Sequence, residues 1–326
     1  MSLPLSGLRV LLLHPGFFAL GSGAARGLEL AGASVASWCT RPSTSPTYRA
    51  SLRLAPWLGQ AHVTRALAKR FRQSIEGSFD VVLAVGGEGL AARAVHFLRA
   101  LNPRARFILY LFDSVANSPR CLPRVAAFDE VVSFDRADCE SRPGWRYRPL
   151  FATEEYWQRG PVGCRGVCFV GSYHAERIMV LRRWIAACHD RGIPGEYAVA
   201  TRGWPDRLRW RPSRLDAGIS RLDRPLSANE CMAIYRASGV VFDVHHPRQT
   251  GLTMRTLEAL ACGCRLVTTN PMIMRETFYD PERILVVDRS NPLPCMGFFL
   301  RPPASKVTPL DPHFTAAEWG KEVVGI

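Results

Sequence analysis

The sequence predicts an α/β protein made of two doubly wound, Rossmann-like halves, and three observations carry that prediction. Short apolar runs rich in β-branched residues recur along the chain, each ending in a polar or glycine-containing turn, with helix-forming stretches between them. The runs are apolar almost without interruption, as expected of strands buried on both faces of a parallel sheet. The rhythm lapses over residues 142–163, a linker-like stretch with Pro-containing dipeptides and no clear period, and then restarts. With 326 residues the chain is long enough for two ordinary domains.

In the first half, residues 8–13 read as the first strand. Residues 21–30, rich in Gly and Ala, open a helix after it. Residues 79–85 form a second strand ending at Gly86-Gly87-Glu88-Gly89, and residues 107–112 a third ending at Asp113-Ser114. Residues 130–134 form a fourth, ending at Asp135. Between the first two, residues 48–75 interleave Arg49, Arg53, Arg65, Lys69, Arg70 and Arg72 with apolar side chains. That stretch is either a basic amphipathic surface for an anionic membrane or a solvated helix with its apolar side on the core.

In the second half, residues 166–170 form a strand ending at Gly171-Ser172-Tyr173-His174, followed by a helix over 178–188 and a strand over 196–201. Ser227 and Glu230 stand three apart, as in a capping box, and open an amphipathic helix that runs through Tyr235. Strands follow at 240–244, 266–269 and 284–287. The expected organisation is an N-terminal domain over residues 1–155, a second over 156–300, and a C-terminal tail or helix over 301–326 that can pack back on the first, with a cleft between the two halves.

Composition narrows the classes. A chain that is 47% hydrophobic and 21% charged is globular rather than disordered, and no apolar run approaches the length of a spanning helix. The N-terminus lacks the basic region and small-residue cleavage site of a signal peptide, so a cytoplasmic protein is expected. Ten cysteines without a CxxC pair, and no His pair at zinc-finger spacing, read as small buried hydrophobes in a reducing compartment, with no metal. The net charge of +14, nearly all of it from arginine, favours a polyanion: nucleic acid, an anionic membrane surface or a phosphorylated substrate. The cations are spread along the chain, and no helix-turn-helix, RNP-type or zinc signature accompanies them, so nucleic acid is not an expected partner.

In open α/β sheets ligands collect beyond the carboxyl ends of the strands. There the second half places Gly171 and Arg177, the polar loop from His245 through Gln249 to Thr250, and a helix expected to start at Gly251. A helix N-terminus offers free backbone N–H groups and partial positive charge, which suits phosphate. Gly251 permits close backbone approach, Leu252 follows, and Thr253 adds a hydroxyl. Glu258 lies too far along to cap the helix; it suits a diol such as a ribose, or else pairs with Arg255.

Residues 257–267, Leu-Glu-Ala-Leu-Ala-Cys-Gly-Cys-Arg-Leu-Val, resemble the L-E-A-x-A-x-G-x-P-V-V signature of GT-B glycosyltransferases of the group-1 or family-4 type. Phe169-Val170-Gly171 with Glu176-Arg177 resembles that family's F-x-G-x-x-x-x-E-K element, and residues 232–238 resemble the amphipathic helix before the strand leading to the site. Together these cover residues 166–270, the donor-binding half. The whole chain, with Phe112-Asp113-Ser114 and His245-His246-Pro247, looks like bacterial enzymes of surface-polysaccharide assembly, whether of lipopolysaccharide, capsule or exopolysaccharide.

The resemblance implies a GT-B fold, two Rossmann-like domains facing a central cleft. It implies a nucleoside-diphosphate sugar as donor, UDP- or GDP-linked, and a lipid-linked or glycan acceptor, with no required cofactor or metal. Peripheral contact with an anionic inner membrane would fit the basic charge. Glu258 would hold the ribose, the amides of Gly251, Leu252 and Thr253 would face the diphosphate, and Arg177 would neutralise it. The chain departs from the family pattern twice. Thr250 stands where the E-x7-E motif has its first carboxylate, and Ser172 stands where an arginine usually follows the glycine. His245, His246, Arg248 and Gln249 are placed to take over those contacts. If the reaction inverts configuration it needs a general base, for which Asp113, His14 and Glu88 are the candidates.

Two other readings remain. The lost carboxylate at Thr250 would fit a non-catalytic nucleotide-sugar-binding paralogue. Gly21, Gly23 and Gly27 make a GxGxxxG pattern that invites an NAD-dependent reading, although it begins eight residues past the first strand.

Overall fold

The computed structural model describes residues 3–16, 18–40, 56–73, 78–86, 90–158, 160–201, 204–210, 216, 218–300 and 309–325. The chain divides into two compact units, Met1–Leu150 with Thr315–Ile326, and Phe151–Phe314. Among the described residues, no helix is long and apolar enough to cross a membrane.

The first unit runs β1 (Arg9–His14), α1 (Phe18–Leu30), β2 (Ser34–Cys39), α2 (Pro56–Gln73), β3 (Val81–Val85), α3 (Ala92–Leu101), β4 (Arg106–Leu111), α4 (Leu122–Val125), β5 (Glu130–Ser133), α5 (Arg136–Glu140) and β6 (Arg146–Tyr147). Its sheet has the order β2-β1-β3-β4-β5-β6 with every pair parallel. The order reverses between β1 and β3, which makes their carboxyl ends a topological switch point. The apolar runs become the central strands: all of β3, and all but the first residue of β4, are buried. β2 is the strand the sequence does not announce. Ser-Val-Ala-Ser-Trp-Cys has no apolar run, only Trp38 is fully covered, and pairing with β1 at the sheet edge gives the segment its form.

Helix α2 covers residues 56–73 of the basic stretch, and Arg49 and Arg53 lie outside the described residues. Val63 and Leu67 sit in the core of the unit, while Arg65, Lys69 and Arg70 are exposed, so the apolar side faces inward.

The glycine pattern has a packing role. Gly21 is the fourth residue of α1 rather than a turn before it, and a Cβ there would fall 2.2 Å from Nδ1 of His14. A Cβ on Gly27 would fall 2.2 Å from the carbonyl oxygen of Ala316, in the C-terminal helix Ala316–Val324. That helix is capped by Thr315, whose hydroxyl accepts the Glu318 N–H at 3.3 Å. It buries Trp319 edge-on to Tyr110, with ring centroids 4.9 Å apart. Its last carbonyls are taken up by arginines: Arg106 donates to Val324 at 2.8 Å, and Arg146 to Glu322 and Val323 at 3.0 Å each. Cations at a helix C-terminus satisfy orphan acceptors and the negative end of the dipole together. Gly27→Ala is expected to destabilise this unit by about 1–3 kcal/mol, because the obstructing atom is backbone and cannot swing aside. A thermal melt matching that of the unmodified protein would contradict the close crossing.

The second unit runs β7 (Gly166–Ser172), α6 (Ala175–His189), β8 (Gly195–Ala200), α7 (Trp204–Arg209), β9 (Ile219–Leu222), α8 (Ala228–Ser238), β10 (Gly239–Asp243), α9 (Met254–Ala261), β11 (Arg265–Thr268), β12 (Ile284–Val286) and α10 (Met296–Phe299). Its sheet is also fully parallel, in the order β12-β11-β10-β7-β8-β9, and reverses between β7 and β10. The capping box forms: the Ser227 hydroxyl accepts the Glu230 N–H at 3.3 Å, and the Glu230 carboxylate accepts the Ser227 N–H at 2.7 Å. Trp184 of α6 stacks on Phe242 of β10 at 4.3 Å in the centre of the core. The linker-like stretch holds a short 3-10 turn, Glu154–Trp157, whose Tyr156 stacks on Tyr235 of α8 at 6.2 Å. β9, Ile-Ser-Arg-Leu, is again an edge strand that no sequence period marks.

Candidate functional site

The switch point of the second unit is organised by a residue the sequence reading passed over. β10 ends at Asp243, whose side chain is fully buried. One carboxylate oxygen accepts the Thr253 hydroxyl at 2.9 Å and Nη1 of Arg255 at 2.7 Å; the other accepts the hydroxyls of Thr256 at 3.3 Å and Thr268 at 3.2 Å. A buried carboxylate is tolerated only when paired and hydrogen-bonded in this way. Arg255 also donates Nε to the Val170 carbonyl of β7 at 2.8 Å and lies 4.8 Å from the centre of the Phe169 ring. One guanidinium therefore ties β7 to β10, and one carboxylate fixes the first turn of α9. Gly171 makes room for this arrangement, since a Cβ there would fall 2.8 Å from Nη2 of Arg255.

α9 begins at Met254, not at Gly251. Thr253 is the N-cap, with extended backbone and a hydroxyl that accepts the Thr256 N–H at 3.4 Å, a position for which threonine is well suited. Gly251 and Leu252 consequently belong to the preceding loop, where the Leu252 side chain is buried. The loop is pinned by Asn270, whose amide donates to the carbonyls of Thr250 at 3.0 Å and Gly251 at 3.3 Å. Gln249 closes a turn by donating its N–H to the His246 carbonyl at 3.0 Å.

Glu258 sits in the middle of α9, half-buried. Burial pushes its carboxyl up to about 7, with the Asp243 charge adding and the Arg255 charge opposing. Its neighbours are Tyr156, Tyr235, Cys231 and Cys262, all pushed up chiefly by burial and each also by the Glu258 charge. Arg255, the obvious ion-pair partner one turn away, is committed to Asp243. Among the described residues no hydrogen bond or ion pair reaches the Glu258 carboxylate. It is an acceptor with its capacity unused.

A cationic cluster lies at the ends of β7 and β10. The His245 N–H donates to the Thr269 hydroxyl at 3.2 Å, and Nδ1 of the same histidine lies 2.7 Å from that oxygen. The hydroxyl can accept from both or donate to the ring, so the tautomer of His245 sets the direction of that second contact. Burial pushes His245 down to about 4, Asp243 opposing, and Arg289, His246 and Arg177 adding to the fall. His246 is lowered too, first by burial, and its Nδ1 accepts the Arg248 N–H at 3.2 Å. Arg177, in the first turn of α6, donates to the Ser172 carbonyl at 3.3 Å. Arg289, beyond β12, donates to the His245 carbonyl at 3.4 Å and pairs with Glu176 at 3.6 Å. The site is positive through its arginines, while burial favours the neutral form of both histidines.

Gly171, Arg177, His245, Gln249, Thr250, Gly251, Leu252, Thr253 and Glu258 thus all lie in the second unit, on or beside β7, β10 and α9. In the first unit, His14 closes β1 and its Nδ1 accepts the Gly16 N–H at 3.1 Å, with burial lowering its pKa. Asp113 follows β4 and accepts the Asn117 amide at 3.4 Å. Glu88 lies outside the described residues. The residues that sequence reasoning missed are Asp243, Thr268, Thr269, Asn270 and Arg289. Asp243 carried a legible signal, a carboxylate closing the apolar run Val-Val-Phe. Arg289 carried none.

With this geometry in view the relatives can be placed. Residues 177–295 match the family model described as glycosyl transferase-like. No curated protein matches the chain at the level of sequence. Among solved structures, the N-terminal domain of the Candida albicans trehalose-6-phosphate phosphatase is similar with a TM-score of 0.62, at 10% identity over 97% of this chain and 93% of that one. A UDP-forming α,α-trehalose-phosphate synthase from Burkholderia xenovorans, in complex with glucose-6-phosphate, is similar with a TM-score of 0.58, at 10% identity over 98% and 95%. An Anabaena protein, HepE, in complex with UDP and glucose, follows with a TM-score of 0.51, at 12% identity over 87% of each chain. The protein has the two-domain α/β architecture of the GT-B fold, and the segment that matches the glycosyl transferase-like model contains Arg177, the His245–Thr250 loop, Glu258 and Arg289.

Proposed function

We propose that the protein transfers a sugar from a nucleoside-diphosphate sugar to a glycan or lipid-linked acceptor in bacterial surface-polysaccharide assembly. One observation carries the donor assignment: a half-buried carboxylate, Glu258, that no donor reaches among the described residues, in the helix that follows the β10 strand end at a topological switch point. The carboxylate would accept both ribose hydroxyls. Arg177, the Gly251–Thr253 loop and the His245 ring would face the diphosphate and stabilise its negative charge as the bond to the sugar breaks. UDP in the HepE structure and the UDP-forming synthase support a uridine donor, with GDP as the alternative. Gln249 and Thr250 are assigned to the donor sugar. Asp113 is assigned the general base of an inverting reaction, with His14 and Glu88 behind it. The exposed Arg65, Lys69 and Arg70 of α2 support contact with an anionic inner membrane.

A thermal-shift screen against UDP, GDP, ADP, CMP, dTDP and NAD tests the donor assignment, since a ligand at a hundred times its dissociation constant adds about 2.7 kcal/mol. A response to a single nucleoside diphosphate is expected. Affinity for the matching nucleotide sugar, whose diphosphate does not titrate near neutrality, should then rise about tenfold from pH 6 to pH 8. The ionised fraction of a carboxyl with a pKa of about 7 grows from roughly a tenth to nine-tenths over that window. His245, already neutral above about 4, contributes nothing there. A flat profile would remove Glu258 from the ribose, and silence from all six ligands would remove the donor assignment. Thr250, in the place of a family carboxylate, sustains the reading of a non-catalytic binding protein. Nucleotide binding with neither transfer nor sugar hydrolysis would select it.

A further inference from the structure

We propose that Arg289 is the second cation of the diphosphate site, held by Glu176 until the ligand arrives and exchanged onto phosphate when it does. The inference rests on the nucleotide-sugar reading and names a residue of that site. A nucleoside-diphosphate sugar carries two negative charges on its bridging phosphates, and the strand end between Gly171 and Arg177 supplies only Arg177. Balancing the second charge requires a cation from elsewhere in the unit.

Arg289 is placed for that task by its reach. It follows β12 at the sheet edge, three strand spacings from β7, or about 14 Å. Its guanidinium nonetheless lies against the His245 carbonyl beyond β10 and against Glu176 in the first turn of α6. The loop after β12 thus brings this side chain to the switch point. It also lowers the pKa of both His245 and His246, as Arg177 does, so the two guanidinia converge on the same pair of rings.

The bonds that hold Arg289 are weak ones. Its contacts are 3.4 Å to a carbonyl and 3.6 Å to the carboxylate, both longer than the 2.7–2.9 Å usual for charge-assisted pairs. The Glu176 side chain is 61% exposed while that of Arg289 is 24% exposed, so a largely covered cation leans on a solvated anion. Such pairs contribute little, and a phosphate arriving between Arg177 and Arg289 offers the planar, bidentate partner that a guanidinium prefers. Glu176 is then a placeholder: it keeps the cation oriented and gives way to a stronger acceptor. This makes opposite predictions for the two partners of one ion pair.

The test is calorimetric titration of the full chain with UDP, GDP, ADP and dTDP, and with the nucleoside of whichever diphosphate binds. Arg289→Gln should weaken the diphosphate about tenfold or more and the phosphate-free nucleoside less than twofold. Arg289→Lys, which keeps the charge but not the fork, should recover part of the loss. Glu176→Gln should leave diphosphate affinity unchanged or tighten it severalfold. Equal losses for nucleoside and diphosphate in Arg289→Gln, or a tenfold loss in Glu176→Gln, would overturn the inference and leave the nucleotide-sugar reading standing. An unmodified protein that binds none of the four would overturn both.

Discussion

Glu258→Gln is expected to raise the melting temperature of the unliganded protein at pH 8 while lowering its affinity for the donor at least tenfold. Both effects come from one carboxyl. Its pKa is about 7 in the folded protein against an ordinary 4.5. Between those values the folded state keeps a proton that the unfolded state has released, so stability falls as pH rises through the window and stays low above it. A gap of that size corresponds to roughly 3 kcal/mol, and because the group is partly solvated we expect about 2 kcal/mol from neutralising it. The stabilisation should fade as pH falls and vanish near pH 4.5. Binding loses charged hydrogen bonds to the ribose, each contributing about 1.5–3 kcal/mol. Calorimetry at pH 5 and pH 8, with and without nucleotide, reads all of this. An unchanged melting temperature at pH 8 would mean that the carboxylate is well hydrated, and unchanged affinity would mean that it does not touch the ligand. The pattern expected is that of a group kept for function at a cost in stability.

Asp243→Asn is expected to be the most destabilising single change at the site, by about 3–5 kcal/mol. The mutation leaves the Arg255 guanidinium, whose side chain is only 12% exposed, without its counter-charge, and disturbs the hydroxyls of Thr253, Thr256 and Thr268. Urea unfolding would report it. Replacing both partners, as in Asp243→Leu with Arg255→Met, should recover much of the loss, because removing a buried ion pair whole costs far less than breaking it. A loss below 1 kcal/mol in Asp243→Asn would mean that Arg255 finds water and that the carboxylate does not organise the helix start. Nucleotide affinity should fall further in the double variant than its stability does, since Thr253 loses the bond that fixes the loop.

Legibility in the sequence tracked the range of the interaction concerned. The central strands β1, β3, β4, β7 and β10 announced themselves because burial on both faces demands a continuous apolar run, and a run is a local pattern. The capping box on α8 was legible for the same reason: its two bonds join residues three apart. Edge strands β2 and β9 were not, because each is covered on one side only and takes its form from a neighbour. Gly21 and Gly27 looked like a phosphate-binding loop and proved to be clearances for His14 and for the C-terminal helix, whose Ala316 is remote in sequence from both.

At the candidate site the sequence by itself determined the chemistry: a carboxylate inside a short helix, an arginine at the start of another, a polar loop with paired histidines. The tertiary structure decided which of those groups were free to use it. Arg255 stands three residues from Glu258 and could have neutralised it, yet Asp243, twelve residues upstream, holds that guanidinium instead and leaves Glu258 without an ion pair among the described residues. Arg289 joins His245 across 44 residues of sequence. Competition between partners for one charge is settled by geometry and burial, which no spacing in a linear chain encodes.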